Sequence, residues 1–215
     1  MQKKTYAVLG LGRYGTAVAK ELVKNGADVI AVDKNEQIVQ DSSVYLPICK
    51  CADITDPEVI SELGISNADV VIVAMASSLE GSILAITLCK EAGVKTVIAK
   101  CANETHRKIL KRVGADTVVF PENESGTRLA KNLLTSGFTD VLTLSDDLSL
   151  VELAARDEWV GKSLKELNLR KKYTVNVVAF RKNGKITDTV NPEELLDKDT
   201  EIIAIVNTAK LSKLK

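Results

Sequence analysis

Apolar and polar positions alternate along the first two thirds of the chain in a repeating rhythm. Short apolar runs fit strands at Tyr6–Leu9, Asp28–Val32, Leu46–Ala52, Asp69–Met75, Thr96–Lys100 and Thr117–Phe120. Between them lie stretches with helical spacing: one beginning after Gly15, then Glu36 to about Ser43, Glu58–Leu63, one ending at Ala92-Gly93, and Asn103–Val113. A last helical stretch runs from Pro121 to about Ser136 and ends at Gly137-Phe138. Its residues Leu129, Leu133 and Leu134 form an apolar stripe that could cover its own sheet or a partner. The run Val70–Ala76 is continuously apolar, as a strand covered on both faces should be. Strand and helix alternating with short connections predict a parallel sheet with right-handed crossovers and helices on both faces.

Beyond Asp140 the rhythm changes. Val141–Leu144 and Ser149–Ala155 alternate like strands around the turn residues Asp146 and Asp147. Gly161–Leu167 reads as a short helix capped by Ser163. Val175–Arg181 and Lys185–Val190 flank Lys182-Asn183-Gly184, a hairpin signal. Pro192–Leu196 reads as a helical turn, and Thr200–Val206 as the last strand. The expected fold is therefore α/β: a Rossmann-like domain over 1–138, then a small α+β domain over 139–215.

Composition narrows the partners. Lys and Arg together number 29, as do Asp and Glu, which argues against a nucleic-acid partner. No apolar run reaches the ~18 residues of a membrane span, and the polar N-terminus runs straight into the first strand. A soluble cytosolic protein is expected, with Cys49, Cys51, Cys89 and Cys101 reduced and structural. Cys49 and Cys51 share one strand face without zinc spacing, and the single histidine, His106, falls on a polar helical stretch.

The chemistry concentrates at Gly10-Leu11-Gly12-Arg13-Tyr14-Gly15, between the first strand and the first helix, with Asp33 closing the second strand. That order is the dinucleotide-binding fingerprint. Gly10 allows the tight turn, Gly12 a close approach to a pyrophosphate, and Gly15 close helix–sheet packing. The helix N-terminus offers N–H groups to phosphate, and Asp33 accepts from ribose hydroxyls while disfavouring a 2′-phosphate. At the end of the third strand Asp53 is placed to contact an adenine edge, and Asp56 to cap the next helix with Pro57 at its first position. Ala74 and Met75 end the fourth strand beside the pyrophosphate position, and Ser77 or Ser78 caps the helix that follows. No Walker-type phosphate loop is present, and the second domain offers neither histidine nor cysteine for acid–base or nucleophilic work. A nucleotide sensor fits better than its rival, an NAD-dependent oxidoreductase with substrate between the domains. A ring with a vacant site is a third reading.

The series Val8-Leu9-Gly10-Leu11-Gly12-Arg13-Tyr14-Gly15, Ala31-Val32-Asp33, Ala52-Asp53-Ile54-Thr55-Asp56, Val71-Ile72-Val73-Ala74-Met75, Val113-Gly114-Ala115-Asp116 and Pro121-Glu122 resembles the RCK (regulator of potassium conductance) family, of the KtrA/TrkA cytosolic type. Val160-Gly161-Lys162-Ser163-Leu164 and Val177-Val178-Ala179-Phe180-Arg181 resemble its C-terminal (TrkA-C, or RCK-C) domain. The resemblance implies a regulatory subunit, cytoplasmic and peripheral to the membrane. It would dimerise and assemble into a ring, usually an octamer, on an integral-membrane potassium-translocating subunit of the KtrB/TrkH type. It implies ATP/ADP or NAD(H) at Gly10, Leu11, Gly12, Arg13, Tyr14, Gly15, Asp33, Lys34, Asp53, Ala74, Met75 and Lys100. Arg13 either reaches a terminal phosphate, in its own or a neighbouring subunit, or is a plain surface arginine. Glu122 either helps hold Mg2+ or Ca2+ or complements a helix dipole. Some relatives bind cyclic di-AMP in this second domain, and Leu169, Arg170, Asn176 and Ala179 mark the corresponding region here.

Overall fold

The computed structural model describes residues 4–134, 140–145 and 147–210, of residues 134 and 140 the backbone alone. The chain forms two compact units, 1–121 and 122–215. The expected boundary at 138/139 and the expected helix end at Gly137-Phe138 lie outside the described residues, as does Asp146.

In the first unit strand and helix alternate: β1 (Thr5–Leu9), α1 (Arg13–Lys24), β2 (Asp28–Asp33), α2 (Glu36–Ser43), β3 (Ile48–Cys51), α3 (Pro57–Glu62), β4 (Val70–Val73), α4 (Leu79–Glu91), β5 (Thr96–Lys100), α5 (Glu104–Val113) and β6 (Thr117–Val119). The six strands are parallel, in the order β3-β2-β1-β4-β5-β6. The chain leaves β1 in one direction through α1 and α2, and returns past it in the other through α4 and α5. Right-handed crossovers then place the two helix pairs on opposite faces. Side-chain alternation follows. Ala7, Leu9, Val71 and Val73 pack with Ala85 and Ile86 of α4 and Leu110 of α5. Tyr6, Val8, Val70 and Ile72 pack with Val18 and Ala19 of α1 and Ile38 of α2.

Local chemistry sets the helix ends. Asn35, Asp56, Ser78 and Asn103 each accept a backbone N–H at the start of α2, α3, α4 and α5. Pro57 opens α3, as expected, and Gly64 after it takes φ +66°. A 3-10 turn, Ile65–Asn67, follows that the hydrophobic pattern does not reveal. The third strand, Ile48–Cys51, is shorter than the expected Leu46–Ala52, and Leu46 before it is a fully buried core side chain.

Helix α6 (Pro121–Leu134) begins at the last residue of the first unit and runs into the second, which also contains β7 (Asp140–Thr143), β8 (Leu148–Ala154), α7 (Leu164–Leu167), α8 (Leu169–Tyr173), β9 (Asn176–Lys182), β10 (Lys185–Thr187) and β11 (Glu201–Asn207). Its five strands are antiparallel, in the order β10-β9-β11-β8-β7. One sheet face, with Val151, Leu153, Ile202, Ala204 and Val206, packs on Trp159, Leu167, Leu169 and Leu196. Asn183 and Gly184 both adopt positive φ between β9 and β10, the geometry of a type I′ hairpin turn. Ser163 and Glu166 form a reciprocal capping box on α7.

Two expectations need correction here. The strand expected over Lys185–Val190 stops at Thr187. Pro192–Leu196 is not helical. The Asn191 side chain accepts from Glu193 N and its carbonyl accepts from Glu194 N, which closes a turn, and Leu195 then makes one bridge to Ser163.

Ile86 of α4 is fully buried beneath the sheet. Replacing it with alanine should cost about 2–5 kcal/mol in a urea titration; a loss below ~1 kcal/mol would show that the α4 face carries little of the core.

Candidate nucleotide-binding site

Ligands of open parallel sheets sit outside the carboxyl ends of the strands, where the strand order reverses. Here that point lies between β1 and β4, and a cavity of about 510 Å3 opens there, within the usual range for small-molecule sites.

The glycine turn is built from close contacts. Gly10 has φ +95°, and a Cβ there would stand 2.8 Å from Met75 Cγ and 3.3 Å from the Ala74 carbonyl carbon. A Cβ on Gly15 would run into the Gly10 carbonyl oxygen and stand 3.1 Å from Ala74 Cβ. Gly12 meets nothing within 4 Å, so the space above it is open. The first helical N–H groups have no intrahelical acceptor. At α2, α3, α4 and α5 a capping side chain and a first-turn acid answer that deficit. At α1 neither is present: its cap is Gly12 and its first turn carries no acid.

Asp33 ties the loops together. Its Oδ2 accepts from Leu11 N at 2.7 Å and its Oδ1 from Asn35 N at 2.9 Å. Each oxygen retains acceptor capacity for a hydroxyl. At the end of β3, Asp53 Oδ1 accepts from Thr55 N at 3.0 Å and Thr55 Oγ1 at 2.7 Å. These bonds hold the Asp53 carboxyl below the usual carboxylate range, the hydroxyl of Thr55 contributing most.

Of the residues expected from sequence, Gly10, Gly12, Asp33, Lys34, Asp53, Ala74 and Met75 line the cavity. Leu11 does not line it: its backbone N–H donates to Asp33 and its side chain is core. Gly15 lies beneath the turn as a packing residue. Arg13 is exposed at the start of α1. Lys100 stands over the Tyr14 ring at 5.7 Å from its centroid, and neither residue lines the cavity. Sequence reasoning missed Ile38, Thr55, Glu80 and Leu84, which complete the walls. Ile38 and Leu84 were legible only as helix positions; which face they present depends on the sheet order. Ser78 caps α4 as expected and also lines the cavity.

Glu122 falls in the first turn of α6. Among the described residues no group of three or more His, Cys, Asp or Glu side chains is gathered to hold a metal. The four cysteines are free. Cys89 is buried, which pushes its thiol up to about 12, so it is an inert packing residue. The second unit has its own cleft, of about 610 Å3, where Leu169, Arg170 and Asn176 meet Lys165 and Val177. Ala179 lies outside it and is buried.

The glycine contacts give a paired prediction. Gly15→Ala forces α1 off the sheet and should cost about 2–4 kcal/mol of stability by chemical denaturation. Gly12→Ala should stay within ~0.5 kcal/mol of the parent. Equal effects at the two positions would contradict this account of the turn.

Comparison with known proteins agrees with this architecture. Residues 6–121 match the TrkA-N domain model and residues 148–215 the TrkA-C domain model. Ktr system potassium uptake protein C of Bacillus subtilis (strain 168) is 34% identical over 213 residues, covering 99% of this chain and 96% of that protein. Ktr system potassium uptake protein A of the same organism is 33% identical over 210 residues, covering 98% and 94%. Among solved structures, the GsuK channel bound to NAD superposes with a TM-score of 0.67 at 17% identity. It covers 99% of this chain, which spans 39% of the channel's own length, and at that identity the likeness concerns the fold. Among the described residues no helix is long and apolar enough to cross a membrane. The chain therefore belongs to the family in which a TrkA-N domain precedes a TrkA-C domain, together with the Ktr system potassium uptake proteins.

Proposed function

We propose that the protein is a regulatory subunit of a potassium uptake system, not an enzyme, and that an adenine nucleotide bound in the first unit is its input. The observation that carries this reading is the start of α1. It is an uncapped, acid-free helix N-terminus whose Gly12 lines the same cavity as Asp33 and Asp53. Diphosphate oxygens take the α1 N–H groups, the ribose takes Asp33, and the base extends toward Asp53. ATP, ADP and NAD(H) share this arrangement. The GsuK channel, which shares this fold, binds NAD, and that supports a nucleotide as the ligand. Membership of the Ktr family removes the oxidoreductase alternative.

The partner is an integral-membrane potassium-translocating subunit, and the regulatory chains act as dimers within a ring on its cytoplasmic side. Regulation follows from linkage: a nucleotide gates transport only by binding one ring shape more tightly than another. Arg13 is exposed beside the phosphate end, where its guanidinium can reach the terminal phosphate of ATP. In the second unit, the cleft combines Lys165 and Arg170 with the apolar Leu164, Leu169 and Val177. Cations for phosphates beside apolar walls for bases support cyclic di-AMP as a second ligand there.

A thermal-shift panel of ATP, ADP, NAD, NADH and cyclic di-AMP tests both sites. Ligand at a hundredfold excess over its dissociation constant stabilises the native state by about 2.7 kcal/mol, a rise of several degrees. Asp33→Ala should abolish the response to ADP and NADH and spare that to cyclic di-AMP; Arg170→Ala should do the reverse. No response of the parent protein to any adenine nucleotide would reject the proposal.

Titration of Arg13→Ala with ATP and ADP isolates the phosphate reader. Losing one charge-assisted contact should lower the ATP-to-ADP affinity ratio about tenfold or more; an unchanged ratio would leave Arg13 a surface residue.

A further inference from the structure

Sheet order fixes how a bound nucleotide would run. The glycine turn closes β1, Asp33 closes β2, and Ala52–Thr55 follow β3, the next strand outward. Adjacent strands lie ~4.8 Å apart, so phosphate, ribose and base fall on three successive strand ends. Asp53 and Thr55 after β3 line the cavity, and Ile38 on α2 and Leu84 on α4 give it apolar surface.

A carboxylate facing a purine slot is not by itself selective for adenine. Its two oxygens match two adjacent donors, which is what guanine presents at N1–H and the 2-amino group, in a bidentate pair. Adenine presents one donor group, its 6-amino. The difference therefore lies in how many Asp53 oxygens are open. Both acceptor positions of Oδ1 are occupied, by Thr55 N at 3.0 Å and by Thr55 Oγ1 at 2.7 Å. No described residue donates to Oδ2.

Resting on the nucleotide site proposed above, we infer that Thr55 sets the base selectivity of the protein. By saturating one oxygen of Asp53 it converts a bidentate carboxylate into a single acceptor, which fits the 6-amino group of adenine and denies guanine its second bond. Thr55 is a positioning residue, since it acts through Asp53. The same two bonds, with the nearby Lys34 charge, hold the Asp53 carboxyl below the usual carboxylate range and so favour its acceptor form.

Isothermal titration of the full chain with ADP and GDP, for the parent and for Thr55→Val, Thr55→Ala and Thr55→Ser, tests this. The parent should prefer ADP. Thr55→Val frees one acceptor position on Oδ1, so the ADP-to-GDP affinity ratio should fall about tenfold, the worth of one hydrogen bond to a charged group. Thr55→Ala should do the same if the valine variant does not fold. Thr55→Ser keeps both donors and should retain the parental ratio. The acid limb of ADP binding should move to higher pH in Thr55→Val, because Asp53 then protonates more readily. A folded valine or alanine variant with the parental ratio and pH profile would overturn the inference. So would a serine variant that loses as much as valine does, or a parent that binds ADP and GDP equally. Failure of the parent to bind either nucleotide would instead bring down the site assignment along with it.

Discussion

The first unit is organised around a contact that leaves no room for a side chain. Gly15 of α1 lies against the Gly10 carbonyl oxygen and Ala74 Cβ, and Gly10 turns at positive φ against Met75. Any Cβ at Gly15 would lift the helix from the turn. Because the helix sits this low, its N-terminus opens at the carboxyl ends of β1 and β4 rather than above them. Asp33 then reaches across to Leu11 N and holds the turn to the end of β2. Steric absence at two glycines and one charge-assisted bond together place the site.

From that contact the cavity acquires a polarity. Donors concentrate at one end, where α1 starts without a capping side chain or an acid. Toward β3 lie the carboxylates of Asp33 and Asp53, and Glu80 at the start of α4 and Lys34 also line the cavity. A ligand that carries phosphate at one end and hydroxyl and amino donors at the other complements both. A free polyphosphate would meet the acids, and an uncharged nucleoside would leave the helix end unanswered. An adenine nucleotide would match the whole length, as the proposed role of a nucleotide sensor requires. In the proposed complex the additional phosphate of ATP would extend past α1 toward Arg13, where the ligands differ from one another and where differential binding energy would arise.

Much of this was legible in the chain. The alternation of apolar runs and helical stretches gave the parallel order, and Gly10, Gly12, Gly15 and Asp33 marked the turn, because backbone geometry there demands particular residue types. Asp56-Pro57 and Ser78 announced their helix starts for the same reason. What the sequence did not reveal depends on tertiary placement. Leu46 looks like strand and is core. Pro192–Leu196 looks helical and is a side-chain-closed turn. Ile38 and Leu84 join the site only once α2 and α4 are docked on their faces of the sheet. Thr55 is an ordinary loop residue by pattern. Its two bonds to one oxygen of Asp53 give it a role.

The central claim is that the uncapped start of α1 is a phosphate site. A crystal structure of the ADP complex tests it most directly. The account predicts diphosphate oxygens within hydrogen-bond distance of Gly12 N and Arg13 N, with the ribose hydroxyls on Asp33. ADP bound elsewhere, with the α1 N-terminus still facing solvent, would contradict it.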